Sequence, residues 1–224
     1  MRLLEITTRI ALSYKRIFFL MCITSAASSG SWHAGLEVQQ VDLTFKPRYT
    51  PTNGQSSQQF TDRASGQGLA VSGDYMIDLA DSFGLAIQIM ASYDNAEWAL
   101  RTDEVATLKY GMPWRYGASL LPEWRFKKKL AAFIEFGVEQ GRVEQEKESE
   151  VASTYSNTQW VTGAVVGGGL RYDPTEALGV FLSYRFTQFQ RYRFFSRLSN
   201  GTIPEIIQDA PYSGIISFGF SARV

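Results

Sequence analysis

Beyond about residue 30, apolar and polar positions alternate with a period of two through most of the chain. The end shows it most clearly. Ile216, Phe218, Phe220, Ala222 and Val224 fall on one face, and Ser213, Ile215, Ser217, Gly219, Ser221 and Arg223 on the other. Such alternation marks a strand with one apolar face. An unbroken apolar face opposite a small or polar one suits a wall with hydrocarbon outside and protein or water inside. Hydrocarbon offers no partner for an open sheet edge, so strands of this kind must close on themselves.

Eight such segments are predicted, at 32–45, 68–79, 83–93, 114–126, 130–143, 155–172, 178–190 and 213–224. In the third, Phe83, Leu85, Ile87, Ile89, Ala91 and Tyr93 are in step; in the fifth, Leu130, Ala132, Ile134, Phe136 and Val138. The links alternate in length. Residues 80–82, 127–129 and 173–177 are tight turns, whereas 46–67, 94–113, 144–154 and 191–212 are long and carry Asn53-Gly54, Ser65-Gly66 and Asn200-Gly201, which is turn chemistry. Turns at one rim and loops at the other, with an even strand number, bring both ends of the sheet to the turn side. Trp32, Trp98, Trp114, Tyr116, Trp124, Trp160, Tyr172 and Tyr184 are expected where strands leave the hydrocarbon, since such rings favour the membrane–water interface.

The N-terminus reads as an export signal. Arg2, Arg9, Lys15 and Arg16 precede a short apolar run at 17–24 and small residues at 25–30, with cleavage expected after Ala27 or Ser29. The division is therefore 1–29 as a removed signal peptide and 30–224 as one barrel domain. Cys22 is the single cysteine and falls inside the signal. Leu20-Met21 before it lacks the small residue that precedes a lipidated cysteine, so no lipid anchor is expected. The mature chain then has no disulfide, no thiolate metal site and no cysteine nucleophile. Of the 22 basic and 22 acidic residues, four basic and one acidic lie in 1–29, leaving 18 and 21, a net charge of −3. That balance argues against nucleic acid as a partner.

In strand count, turn–loop alternation and terminal amphipathic strand, residues 32–224 resemble the small eight-stranded outer-membrane β-barrels of the OmpA/OmpX type. The resemblance implies an all-β, eight-stranded antiparallel up-and-down transmembrane β-barrel in the outer membrane of a Gram-negative cell. It also implies a monomer inserted by the barrel-assembly machinery among outer-membrane lipid and lipopolysaccharide, with turns in the periplasm and loops outside. One departure stands out: the family usually ends in an aromatic residue that the machinery reads, and this chain ends in Val224, with Phe218 and Phe220 further in.

The rows opposite the apolar ones carry Glu37, Asp74, Asp78, Arg115, Glu123, Arg125, Glu135, Glu139, Arg171 and Arg185. Eight strands enclose a space that side chains just fill, so these charges must pair. A closed structural network is the expected reading, favoured over a conducting pore, with Gly163, Gly167, Gly169 and Gly219 making room for the arginines. Catalysis is not expected. Glu135 and Glu139 stand too far apart along a strand to act as an acid–base couple. The one histidine, His33, lies by the periplasmic rim, whereas the lipid A deacylases and palmitoyltransferases of similar size act from the outer one. No phosphate loop, metal-ligand cluster or nucleophile elbow is present, and no cofactor is implied.

Activity on such a scaffold belongs to its loops. In the fourth loop Arg191, Arg193, Phe194, Phe195 and Arg197 interleave cations with rings, a composition that suits an anionic ligand, lipopolysaccharide or host-derived. The bland alternative is a basic belt whose arginines snorkel to headgroups. In the third loop Glu144, Glu146, Glu148 and Glu150 alternate, as in a strand that continues past the membrane and pairs with 153–158. The first loop is polar at 50–59. The sequence therefore reads as a non-enzymatic surface protein for binding, adhesion or membrane support. The alternatives are an outer-membrane lipid-modifying enzyme and a soluble exported β-sandwich or barrel.

Overall fold

The computed structural model describes residues 30–46, 48–51, 58–59, 61–103, 106–127, 129–149, 155–196 and 205–224. Its strands are β1 (Gly30–Phe45), β2 (Arg48–Pro51), β3 (Gln58–Gln59), β4 (Asp62–Ala80), β5 (Phe83–Asp94), β6 (Glu97–Asp103), β7 (Ala106–Lys127), β8 (Leu130–Ser149), β9 (Tyr155–Tyr172), β10 (Leu178–Phe189), β11 (Tyr192–Ser196), β12 (Glu205–Asp209) and β13 (Tyr212–Arg223). The expected signal, residues 1–29, lies outside the described residues.

Eight of these strands form one closed antiparallel ring. The order β5-β4-β1-β13-β10-β9-β8-β7 returns to its start through a β5–β7 pairing. The seam between the two ends of the chain is complete, from His33 opposite Arg223 to Thr44 opposite Tyr212. The fold is an eight-stranded antiparallel β-barrel, and its wall shows why. Leu69, Val71, Ile87, Ile89, Leu120, Phe136, Val138, Leu170, Leu182, Ile216, Phe218 and Phe220 point outward and are exposed. An apolar belt this continuous has no place on a protein surrounded by water. Rings mark both edges of the belt. Trp32–Tyr75 (4.8 Å between centroids) and Phe83–Trp124 (5.3 Å) lie at the turn side, and Tyr93–Trp114 (4.9 Å), Tyr116–Trp160 (5.1 Å) and Phe186–Tyr212 (5.7 Å) at the loop side. Tyr184 stands one outward position below Phe186, just inside the upper ring rather than in it. The Trp98 side chain lies outside the described residues.

The strands are longer than periodicity suggested, because the sheet does not stop at the girdle. β4 begins at Asp62, β7 begins at Ala106 and β8 runs to Ser149. Glu144, Glu146 and Lys147 of β8 pair with Thr158, Ser156 and Tyr155 of β9, so the acidic alternation is the outer end of a wall hairpin. β6 adds to the same wall against β7. A separate four-stranded sheet, β11-β12-β2-β3, joins the first long loop to the fourth. Tyr192 opens β11, which pairs with β12.

Candidate functional site: the lumen and the outer rim

The interior has three layers, each set by which residues the inward rows supply at that height. The lowest is the mouth on the turn side. Arg125 Nη2 donates to Asp78 Oδ1 (2.6 Å) and its Nε to Glu123 Oε1 (3.2 Å); Arg171 Nε donates to Asp173 Oδ1 (2.8 Å) and its Nη1 lies 3.9 Å from Glu123 Oε2. Asp74 pairs not with an arginine but with His33, whose Nδ1–H donates to Asp74 Oδ2 (3.0 Å). All of these groups except Asp74 line a cavity of about 680 Å³.

The middle layer is buried. Arg185 Nε donates to both oxygens of Glu135, each at 3.0 Å, and Ser119 Oγ–H donates to Glu135 Oε1 (2.8 Å). Gly167 is required here: a Cβ on it would sit 3.2 Å from Glu135 Oε2 and 2.7 Å from the Tyr184 carbonyl. Arg115 Nη2 donates to Asp94 Oδ2 (2.8 Å), and its Nη1 stands 3.7 Å from Glu139 Oε1, an ion pair too long for a hydrogen bond. Asp94 is the partner that sequence reasoning missed, because it was assigned to the start of a loop. Its position was readable: it continues the inward row of Gln88, Met90 and Ser92 on β5. Glu37 was expected to meet an arginine directly; instead Gln39 Nε2 donates to it at 3.2 Å, and it forms no ion pair among the described residues. Glu37, Glu135 and Arg185 border a space of only about 40 Å³, room for a water or two.

The top layer is apolar, which the inward charges gave no reason to expect. Val41, Leu43, Phe45, Ala64, Ala96, Tyr110, Met112, Val143, Val161, Phe189, Tyr192 and Ile215 form one buried cluster. On β1 the apolar row changes face after Gln39-Gln40: Leu36 and Val38 point out, Val41, Leu43 and Phe45 point in. That phase break is the sequence signal of a plug above the membrane. With layers of charged groups beneath a buried apolar cluster, planar-bilayer recordings of the refolded protein are expected to show no steady current. Sustained porin-like conductance would contradict the sealed lumen.

Above the girdle, Asp209 ties the outer sheet to the barrel. Its Oδ1 accepts the Lys46 (2.8 Å) and Ala210 (2.6 Å) amides, and its Oδ2 the Tyr192 hydroxyl (3.3 Å). Burial raises its pKa from 3.8 to about 6, and the hydrogen bonds and Lys46 only partly counter that. A carboxyl whose folded pKa lies above its unfolded value stabilises the fold most below about pH 4, and that contribution is lost as pH rises through about 6. Asp209→Asn keeps an oxygen for both amides without the charge. It is expected to raise unfolding stability at pH 7.5 by about 1–3 kcal/mol and to change little at pH 4, read from urea unfolding at the two values. A loss of stability at both would show that the ionised carboxylate is the preferred partner.

Of the fourth-loop residues, Arg191 and Arg193 are exposed at this rim. Arg193 pairs through its backbone with Gln208, Phe194 with Ile207 and Phe195 with Ile206. Arg197 and the side chains of Phe194 and Phe195 lie outside the described residues. Lys46 places its Nζ 5.2 Å over the ring of Tyr212, in the upper girdle.

A closed antiparallel ring with a lipid-facing wall, two aromatic girdles and a filled lumen defines a transmembrane β-barrel of the outer-membrane type. No family model and no curated protein sequence matches the chain. Solved structures do. The outer-membrane protease OmpT of Escherichia coli superimposes with a TM-score of 0.56 at 8% identity, over 87% of this chain and 97% of that one. A major outer-membrane protein of Thermus thermophilus gives 0.50 at 11%, over 85% and 99%. Ail, the attachment invasion locus protein of Yersinia pestis, gives 0.45 at 12%, over 87% and 99%. At these identities the likeness is one of fold.

Proposed function

We propose that the chain is exported by residues 1–29, inserted by the barrel-assembly machinery, and held as a monomer in the outer membrane of a Gram-negative cell. There it presents a binding surface at the loop rim. The observation that carries this reading is the asymmetry of the molecule. The turn side ends almost at the girdle, whereas the loop side adds an extended wall and a second sheet with Arg193 exposed on it and Arg191 exposed just before it. Chain ordered beyond the membrane suits contact outside the cell, and the buried charge layers under an apolar cluster argue against transport. Arginines beside aromatic residues favour an anionic polar surface, such as the phosphates of lipopolysaccharide or an acidic host glycan. The role is binding or adhesion, with reinforcement of the membrane as the remainder if no ligand is engaged.

The sharing of this fold with a protease shows that the barrel alone does not decide between binding and catalysis. A lipid-modifying enzyme of the outer leaflet would place an acid–base residue at the loop rim. The one histidine of this chain sits at the opposite end.

Replacing Arg191, Arg193 and Arg197 together by serine is expected to leave heat-modifiable gel migration unchanged. Retention of the refolded barrel on immobilised heparin and on lipopolysaccharide should fall at least tenfold, with the difference largest at low salt. Unchanged retention, lost instead on deleting residues 144–150, would move the contact to the acidic hairpin. No retention of the parent protein on either would leave membrane support as the role.

A further inference from the structure

The mouth on the turn side contains a chain of three groups that neither the charge network nor the outer rim accounts for. Ser31 and His33 lie two apart on β1 and so share its inward face, and Asp74 of β4 stands directly opposite His33 in the register. Asp74 as a carboxylate only accepts, so its 3.0 Å contact places a proton on His33 Nδ1, and in the neutral ring Nε2 is then the lone-pair acceptor. Ser31 Oγ lies 3.4 Å from that Nε2. His33 and Asp74 are buried, and Ser31 and His33 border the 680 Å³ cavity. Acid on Nδ1, hydroxyl on Nε2 and an opening beside the hydroxyl are the relations that define a nucleophilic serine relay, whatever the fold or chain order. A separation of 3.4 Å is within the range such pairs show without substrate.

We infer that Ser31, His33 and Asp74 form a hydrolytic site for carboxylic esters at the turn-side mouth of the barrel. Ser31 Oγ attacks the ester carbonyl carbon while His33 Nε2 takes its proton, and Asp74 holds the resulting imidazolium through Nδ1–H. The tetrahedral adduct expels the alcohol, which leaves with the proton from Nε2, so an acyl-serine remains. Water then attacks the acyl carbon, giving its proton to Nε2, and the carboxylic acid departs as Ser31 recovers the proton. No oxidant or metal enters, and water is the one co-reactant.

The cavity wall indicates the substrate class. Lys127 and Arg223 border it and form no ion pair among the described residues, and Arg223 is the cross-strand neighbour of His33 on the side away from Asp74. Their positive charge suits both a developing oxyanion and an anionic group near the ester. Leu130 and Leu178 stand at the lip, exposed toward lipid. An ester joining an acyl chain to an anionic headgroup meets both. Such a molecule arrives either from the adjoining bilayer leaflet or as a soluble acyl ester. This inference is independent of the binding surface proposed for the opposite rim, and it departs from the non-enzymatic expectation of the sequence.

The test uses barrel purified from outer membranes. Its substrates are a fluorophosphonate probe, 4-nitrophenyl butyrate, and vesicles of dioleoylphosphatidylglycerol or dioleoylphosphatidylcholine. The probe is expected to label Ser31, identified by peptide mass, and ester cleavage is expected in at least one substrate. Cleavage of the vesicle lipid identifies the bilayer source, and of the butyrate alone the soluble one. Ser31→Ala and His33→Gln should each lower turnover roughly a thousandfold with normal heat-modifiable migration. Asp74→Asn, a positioning change, should lower kcat with little effect on KM. Folded parent protein that is neither labelled nor active on any substrate would overturn the site, as would labelling that persists in Ser31→Ala. Equal rates on the anionic and zwitterionic lipids would overturn the role given to Lys127 and Arg223.

Discussion

Replacing Arg185 by methionine is expected to destabilise the barrel by about 3–5 kcal/mol, the cost of leaving a buried charge without its partner. The Arg185 and Glu135 side chains are only 4% and 3% exposed, and Glu135 keeps just the Ser119 hydroxyl once the guanidinium is gone. Methionine fills much of the same volume, so the loss reports charge rather than packing. Replacing Glu135 by methionine as well should recover most of it, because a buried pair exchanged for apolar groups is often neutral. Equilibrium unfolding in urea, followed by tryptophan fluorescence and gel migration, measures both. A change under about 1 kcal/mol for the single variant would mean that water reaches Glu135 freely, and the closed middle layer would be wrong.

Ile134→Arg carries the second large effect, about 2–4 kcal/mol, the cost of arginine on the lipid face near the midplane. Ile134 points outward midway between Leu130 at the turn end of β8 and Val138 just below the loop-side girdle, and is 39% exposed to the surroundings of the barrel. Gln190→Arg, exposed beyond the end of β10, is expected to stay within about 0.5 kcal/mol as a surface change. Ser217→Arg should also destabilise, but by overfilling the lumen, since Ser217 is buried on the inward row. Refolding into vesicles separates the cases: thicker bilayers should not rescue the Ser217 variant. Equal tolerance of arginine at positions 134 and 190 would mean that the outer wall does not face lipid.

The wall was legible from sequence because a two-sided environment writes itself as strict alternation. Outward residues such as Leu69 and Val71 on β4 and Ile87, Ile89 and Tyr93 on β5 meet lipid in turn, so the register leaves a regular trace. The interior was legible only as composition. Glu135 and Glu139 are equally acidic and both inward, yet one meets Arg185 and the other Arg115. That choice depends on how far each neighbouring strand is sheared along the barrel, which no single strand encodes. Asp94 and His33 were harder still. Each sits where a strand seemed to end, and each finds its partner on the next wall strand, Asp74 across β1–β4 and Arg115 across β5–β7, at a height that depends on the register between them. The plug was hidden for another reason: above the membrane, alternation changes phase, and an apolar residue no longer means an outward one. The outer sheet left no trace, because β2 and β12 are short and their pairing joins distant loops.

The contact from Lys46 to Asp209 spans 163 residues of sequence, and it lies directly over the seam where β1 meets β13. Contacts of such separation are the most expensive in chain entropy and form late. The pairing of β12 with β2 can be made only once the first and last strands have found each other. It therefore adds nothing to the search for the closed ring, but it slows any later parting of that seam. A barrel is most vulnerable to opening where its two ends are joined, and here the joint is bolted at the loop rim by chain that the membrane-spanning part does not need. The outer sheet is thus expected to set how long the protein persists more than whether it assembles, a kinetic safeguard.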